Sequence, residues 1–189
     1  MATKEPSYKV IKAEGDFEIR ECVSYCVAET FVNTSDFDEA SNEGFRRLFR
    51  YISGNNRSKT EIEMTTPVTA SKSEKIEMTA PVTSTKMVDG YLIAFVMPDR
   101  LSISTAPTPD DSSIHIREIP ARRVAVIRFS GRWTAKSMEE HGQELTEWLS
   151  KNGITPIGTP VIARYNPPFT PWFLRRNEIQ IEIKPSQDP

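Results

Sequence analysis

Cysteine and histidine are scarce in this chain: Cys22, Cys26, His115 and His141 are all it has in 189 residues. No set of them has metal-site spacing. On one continuous strand the two cysteines would lie roughly 13 Å apart, too far for a disulfide; a turn between them would allow one. The expectation is free thiols in a reducing, cytoplasmic setting. An excess of basic residues is also missing. Lys and Arg number 24 against 26 Asp and Glu, a net charge of −2, so there is no electrostatic footprint for nucleic acid. The longest apolar run, Tyr91–Met97, is too short to span a bilayer. The opening MATKEPSYKV has no apolar secretory core. The sequence has no phosphate-binding glycine loop, no serine nucleophile elbow and no catalytic constellation.

What is present is an ordinary globular composition, 38% hydrophobic and 26% charged, enough for one domain over 1–189. The most conspicuous text is doubled. Ile62-Glu63-Met64-Thr65-Thr66-Pro67-Val68-Thr69 returns fourteen residues later as Ile76-Glu77-Met78-Thr79-Ala80-Pro81-Val82-Thr83. Thr, Val and Ile favour extended backbone, and Pro67 and Pro81 forbid a fully paired central strand. Each copy is therefore expected to enter or leave a sheet at an edge or bulge. Met64 and Met78 should fill core, with Glu63 and Glu77 outward.

Alternation predicts strands at Phe17–Cys22 and Cys26–Val32, with Val23-Ser24-Tyr25 able to turn a hairpin. The capping cluster Asn33–Asp36 predicts a helix from about Phe37 to Ser53, its stripe being Phe37, Ser41, Phe45, Leu48, Phe49 and Ile52. Tyr91–Met97 reads as the central strand, and 98–113 as a proline-rich linker. The opening pattern then returns ninety-seven residues on. Ile114–Ile119 matches Phe17–Cys22, and a helix over about Ala135–Lys151 matches the first. Strands at Val161–Tyr165 and Ile179–Ile183 complete the chain. The expected fold is α+β: a distorted antiparallel β-barrel of two pseudo-symmetric halves (about 8–97 and 114–184), each with one long helix packed on the sheet.

Two stretches could wall a ligand cleft. The first helix carries Phe45, Leu48 and Phe49 beside Arg46, Arg47 and Arg50. The late loop carries Tyr165, Pro167, Pro168, Phe169, Pro171, Trp172 and Phe173, then Arg175 and Arg176. Flat apolar ligands take aromatic and aliphatic walls, and anionic groups take arginine forks. Core packing accounts for the same residues. One of Arg175 and Arg176 is expected to pair with Glu178 or a backbone carbonyl. His115 alternates outward. His141 lies on the stripe Met138, His141, Leu145, Trp148, Leu149 and faces partly inward.

Ser53-Gly54-Asn55-Asn56, the doubled Met-Thr-x-Pro-Val segment, Tyr165-Asn166-Pro167-Pro168 and Arg175-Arg176-Asn177-Glu178-Ile179 together resemble the SOUL family of haem-binding proteins. The likeness runs from about residue 8 to 184, and the doubled motif resembles the bacterial and plant branches. The resemblance implies a distorted barrel and haem, or another tetrapyrrole, held without catalysis by a carrier or buffer. It implies an apolar cleft made by Phe45, Leu48, Phe49 and Arg50 of the helix and Tyr165, Phe169 and Trp172 of the loop. His141 is the first choice for an iron ligand and His115 the second; no histidine here matches the ligand proposed in some relatives. The fold also resembles effector-binding domains of transcriptional regulators. The alternatives are therefore a module for another hydrophobic or cationic small molecule, or an enzyme acting on a tetrapyrrole. No membrane or nucleic-acid partner is expected.

Overall fold

A computed structural model describes residues 5–58, 73–167 and 169–184. The first copy of the doubled segment, with Glu63 and Met64, and Pro168 of the late loop lie outside the described residues. The elements in order are β1 (Tyr8–Glu14), β2 (Phe17–Cys22), β3 (Tyr25–Val32), α1 (Phe37–Ile52), β4 (Asn56–Arg57), β5 (Val82–Met87), β6 (Gly90–Val96), β7 (Thr108–Pro109), β8 (Ile114–Ile119), β9 (Arg122–Phe129), α2 (Ala135–Lys151), β10 (Val161–Arg164), a 3-10 turn at Trp172–Leu174, and β11 (Asn177–Glu182).

Nine strands form one antiparallel sheet in the order β1-β2-β9-β11-β10-β5-β6-β3-β8, curled into a half-barrel, with both helices packed on it. β4 and β7 pair separately. Exchanging β2, β3, β5 and β6 for β8, β9, β10 and β11 reproduces the order of those eight strands, a property of the connectivity alone. Phe17–Cys22 does not form a hairpin with the next strand. β2 pairs with β1 and β9, and β3 with β6 and β8, so Val23 and Ser24 carry the chain across the sheet rather than around a turn. No disulfide joins Cys22 and Cys26.

Each helix begins where the sequence places a cap. The Asp36 carboxylate accepts from Glu39 N at 2.9 Å, and the Thr134 hydroxyl accepts from Ser137 N at 3.1 Å. The buried stripe of α1 is Phe37, Ala40, Ser41, Gly44, Leu48, Tyr51 and Ile52. Phe49 is not on it: one residue past Leu48 turns it about 100° away, and it is 47% exposed. Phe45 is half-buried on the flank, edge-on to Phe95 at 5.2 Å and stacked on Phe49 at 5.9 Å. Gly44 permits the close approach of α1 to β6; a Cβ there would stand 2.5 Å from Ile93 Cγ1.

The second copy of the doubled segment enters the sheet only at Val82, after a cis Ala80–Pro81 bond. Before that it is unpaired extended chain, so period-two alternation does not govern it. Ile76, Thr79 and Ala80 turn inward, and Met78 is exposed rather than in the core. The Asn56 side chain fixes this segment, donating to Tyr51 O and Glu74 O and accepting from Glu74 N. The 98–113 stretch packs on the same end of α1. Leu101 and Ala106 are buried, and the Tyr51 hydroxyl donates to Pro107 O at 2.9 Å. No helix among the described residues is long and apolar enough to cross a membrane.

The glycines of the two helices should respond oppositely to alanine. Gly44→Ala overpacks Ile93 and is expected to cost about 1–3 kcal/mol. Gly142, whose added Cβ would meet only Ile179 Cδ1 at 3.9 Å, should gain about 0.5–1 kcal/mol from helix propensity. Urea denaturation of both variants checks this; a neutral Gly44→Ala would contradict the helix–sheet contact.

Candidate functional site

The strand register sets a row of side chains across the helix-covered face: Ile116, Ala28, Phe95, Val82, Arg164, Asn177 and Phe129, each opposite the next. Phe95 carries Phe45 of α1. Phe129 carries His141 of α2, ring centroids 3.9 Å apart and edge-on. Phe95 and Phe129 are four strand spacings apart, roughly 19 Å along the sheet. The two helix contacts therefore flank a stretch of sheet, the floor between them, whose side chains are Val82, Arg164 and Asn177. The next row on the same face is Ile93, Ser84, Ile162 and Ile179.

Arg164 occupies the centre of that floor, 9% exposed. Its guanidinium Cζ lies 5.0 Å from the Trp133 ring centroid and 5.8 Å from that of Phe37. Burial pulls its pKa down to about 10, opposed only by the charge of Asp38. Trp133 precedes the cap of α2. Its Nε1 donates to Asn177 Oδ1 at 2.5 Å, and Asn177 Nδ2 donates to Gly131 O. On the outer side of Trp133 an open cleft of about 540 Å³ is lined by Arg132, Trp133, Thr134, Phe169, Thr170, Pro171, Trp172 and Arg175. The Arg175 guanidinium lies 4.4 Å from the same Trp133 ring, held by Nε donating to Thr170 O at 2.8 Å.

Of the residues singled out in the sequence, Phe169 and Trp172 line this cleft, 87% and 52% exposed. Phe45 and Phe49 stack on each other on the α1 side, with Arg50 exposed beside them. Leu48 is fully buried in the core. His141 is half-buried against Phe129, its Nδ1 3.8 Å from Glu144 Oε2. No ring pair, hydrogen bond or ion pair among the described residues joins Phe45, Phe49 or Arg50 to Phe169 or Trp172. Tyr165 lies on the opposite face of the sheet, its hydroxyl donating to Glu178 Oε2 at 2.8 Å. Arg132, Trp133 and Arg164 were not legible as site residues. A tryptophan directly before a helix cap was the available signal for Trp133.

The opposite face carries its own buried charge. Glu178, 0% exposed, accepts from Arg20 Nη1 at 2.8 Å and Nη2 at 3.0 Å, and from Arg176 Nε at 3.0 Å and Nη2 at 2.8 Å. Gln180 Nε2 also donates to it at 2.9 Å. The pairing expected of Arg175 and Arg176 is observed for both, one to a carbonyl and one to Glu178. Burial pushes the Glu178 carboxyl up, but the bonds and charges of Arg20 and Arg176 outweigh it and hold the pKa at about 2. Burial likewise pushes the Tyr165 phenol up, reinforced by the Glu178 charge.

These observations meet a family pattern that covers nearly the whole chain. The profile described as SOUL heme-binding protein matches residues 3–182. The chain belongs to the SOUL family. It is 27% identical over 173 residues to "Heme-binding protein 1" of Xenopus tropicalis, covering 90% of this chain and 86% of that one. It is 26% identical over 195 residues to "Heme-binding protein 2" of Mus musculus, covering 97% and 91%. Among solved structures, the C-terminal domain of EcmrR superposes with a TM-score of 0.61 at 12% identity, covering 95% of this chain and 99% of that one. A hydrolase from Listeria innocua gives 0.58 at 8% identity, covering 92% and 94%. At such identities the structural likeness concerns the fold alone. In this SOUL chain the Arg175-Arg176-Asn177-Glu178 run supplies both faces: Asn177 holds Trp133 beside the cleft, and Glu178 binds Arg20 behind the sheet.

Glu178 links stability to pH. Its folded pKa, about 2, lies below the ordinary 4.5, so its contribution is complete above pH 4.5 and is lost as pH falls toward 2. Glu178→Gln is expected to cost about 3–5 kcal/mol at pH 7, the gap to the unsubstituted protein narrowing on acidification toward pH 2. Denaturant titrations at pH 7 and pH 3 measure it; a gap independent of pH would contradict the pairing.

Proposed function

We propose that this protein binds haem or another tetrapyrrole without transforming it, as a carrier or buffer, in the apolar cleft between the late loop and the start of α2. The observation that carries the reading is the coincidence of aromatic walls with cations. Trp133, Phe169 and Trp172 present flat apolar surface, Arg132 and Arg175 flank it, and Arg164 lies buried behind Trp133. Bound haem supplies a flat macrocycle, two carboxylates and an iron. The residues present fit the first two: rings stack on the macrocycle and guanidiniums take carboxylates. Phe45, Phe49 and Arg50 extend the aromatic and basic surface on the α1 wall, and His141 lies on the α2 wall. The relatives named heme-binding protein 1 and 2 support the same ligand class.

A cationic ligand, the competing reading, would call for a carboxylate in the cleft. Its lining holds Arg132 and Arg175 and no acidic side chain among the described residues, which favours an anionic ligand. We also read the chain as one domain of two related halves, 8–97 and 114–184 joined by 98–113, which the exchange symmetry of its strand order supports. Two cysteines left unbridged support a reducing compartment, and the net charge of −2 supports a role without nucleic acid.

Titration with hemin and with metal-free protoporphyrin, followed by the Soret band, tests the proposal. Saturable binding of both is expected. Trp172→Ala and Phe169→Ala should each weaken it about tenfold, since base-like ring stacking contributes about 1–3 kcal/mol. Absence of binding by either porphyrin would refute the function; unchanged affinity in both variants would refute the site. His141→Ala should alter the bound hemin spectrum only if His141 holds the iron.

A further inference from the structure

We propose that Arg164 is a buried carboxylate receptor, which takes an acidic group of an aromatic ligand on the sheet floor between the two helices. The ligand's identity rests on the tetrapyrrole reading; the anion site rests on the unpartnered donors of that floor.

Arg20 and Arg176 share the buried Glu178. Arg122 also buries its Nε without a partner, but its Nη2 donates to the Tyr25 hydroxyl at 3.1 Å. Arg164 differs. It has no hydrogen bond or ion pair among the described residues, and its Nε is buried without a partner. An unpaired buried charge is costly to a fold. Asp38, the one carboxylate that acts on it, is exposed in the first turn of α1 and acts only through space. The rings of Phe37 and Trp133 hold the guanidinium in place and give it no acceptor.

Its surroundings point to an anion. Ser84 Oγ, on the adjacent strand and the same face, is also buried without a partner. Ser84 and Arg164 are diagonal neighbours in the register, about 7–8 Å apart at Cα. Two unsatisfied donors thus share one stretch of floor. The nearby start of α2 leaves its helix dipole uncompensated: α1 has Asp38 and Glu39 in its first turn, and α2 has no acidic residue there. Trp133 touches Arg164 and lines the open cleft, and Arg175 lies over the same ring. Cations therefore run from the cleft to the floor. An aromatic body in the cleft with a carboxylate directed at Arg164 satisfies both.

The test compares protoporphyrin with its dimethyl ester, which keeps the macrocycle and blocks both carboxylates, on the full chain and on Arg164→Met and Arg164→Lys. The unsubstituted protein should bind the diacid at least tenfold more tightly than the diester. Arg164→Met should lose most of that preference, keeping only what Arg132 and Arg175 supply, and melt at or above the temperature of the unsubstituted protein, because an unpaired buried charge is gone. Arg164→Lys should keep part of the preference. In parallel, 2-naphthoate should raise the melting temperature of the unsubstituted protein but not of Arg164→Met, and 2-naphthamide should raise neither. Equal binding of diacid and diester, or an acid preference undiminished in Arg164→Met, would overturn the receptor while leaving tetrapyrrole binding intact. If neither porphyrin binds, the tetrapyrrole reading falls and the naphthoate pair alone decides Arg164: stabilisation lost in Arg164→Met upholds it, and no stabilisation overturns it.

Discussion

One carboxylate organises this fold. Glu178 is fully buried, and its partners come from three separate parts of the chain. Arg20 is on β2, Tyr165 follows β10, and Arg176 and Gln180 flank it on β11. The N-terminal segment joins the cluster through Glu5, bonded to Arg176 at 2.8 Å, and through Tyr8, whose ring lies 4.3 Å from the Arg20 guanidinium. Removing the carboxylate would strand the buried Arg20 together with the half-buried Arg176 and Tyr165 hydroxyl. Because β2 and β11 are both neighbours of β9, the Arg20–Glu178 pair reaches across a strand and pins the sheet where it curls.

The same short run controls the helix-covered face. Side chains alternate along a strand, so Asn177 points opposite to Glu178 and receives the Trp133 indole N–H. Arg175, two residues earlier, holds the loop through Thr170 O and overlies Trp133. The cleft is thus built by the residues that balance charge behind it. Behind the sheet Arg20 and Glu178 are paired, whereas the helix-covered face holds Arg164 with no hydrogen bond or ion pair among the described residues. That difference underlies the proposal of an anionic ligand.

Much of the fold was legible in the sequence. Phe17–Cys22, Ile114–Ile119 and both helices stand within a residue of where alternation and capping place them, because those signals are local. β1 was missed: all seven of its residues are exposed, so it shows no buried-face alternation. The hairpin between Cys22 and Cys26 failed because strand partners are chosen by the sheet, not by the nearest turn. Met78 was placed in the core by a periodicity that unpaired chain does not obey. For the site, the proline-rich aromatic loop with its arginines was visible, as was the haem-binding family. Arg164 was not, since an arginine on a strand reads as a solvent-facing residue; only the register shows that its neighbours are Val82 and Asn177 on the helix-covered face.

The protein's three tryptophans allow the location of the ligand to be read directly. Trp133 and Trp172 line the cleft, whereas Trp148 is stacked on Phe17 elsewhere on α2. In a nitrogen-15 correlation spectrum each indole N–H gives its own resonance. Stepwise addition of metal-free protoporphyrin should shift the Trp133 and Trp172 resonances saturably and leave that of Trp148 in place. Movement of Trp148 alone, or saturable binding with all three indoles unmoved, would contradict a ligand seated between the late loop and the start of α2.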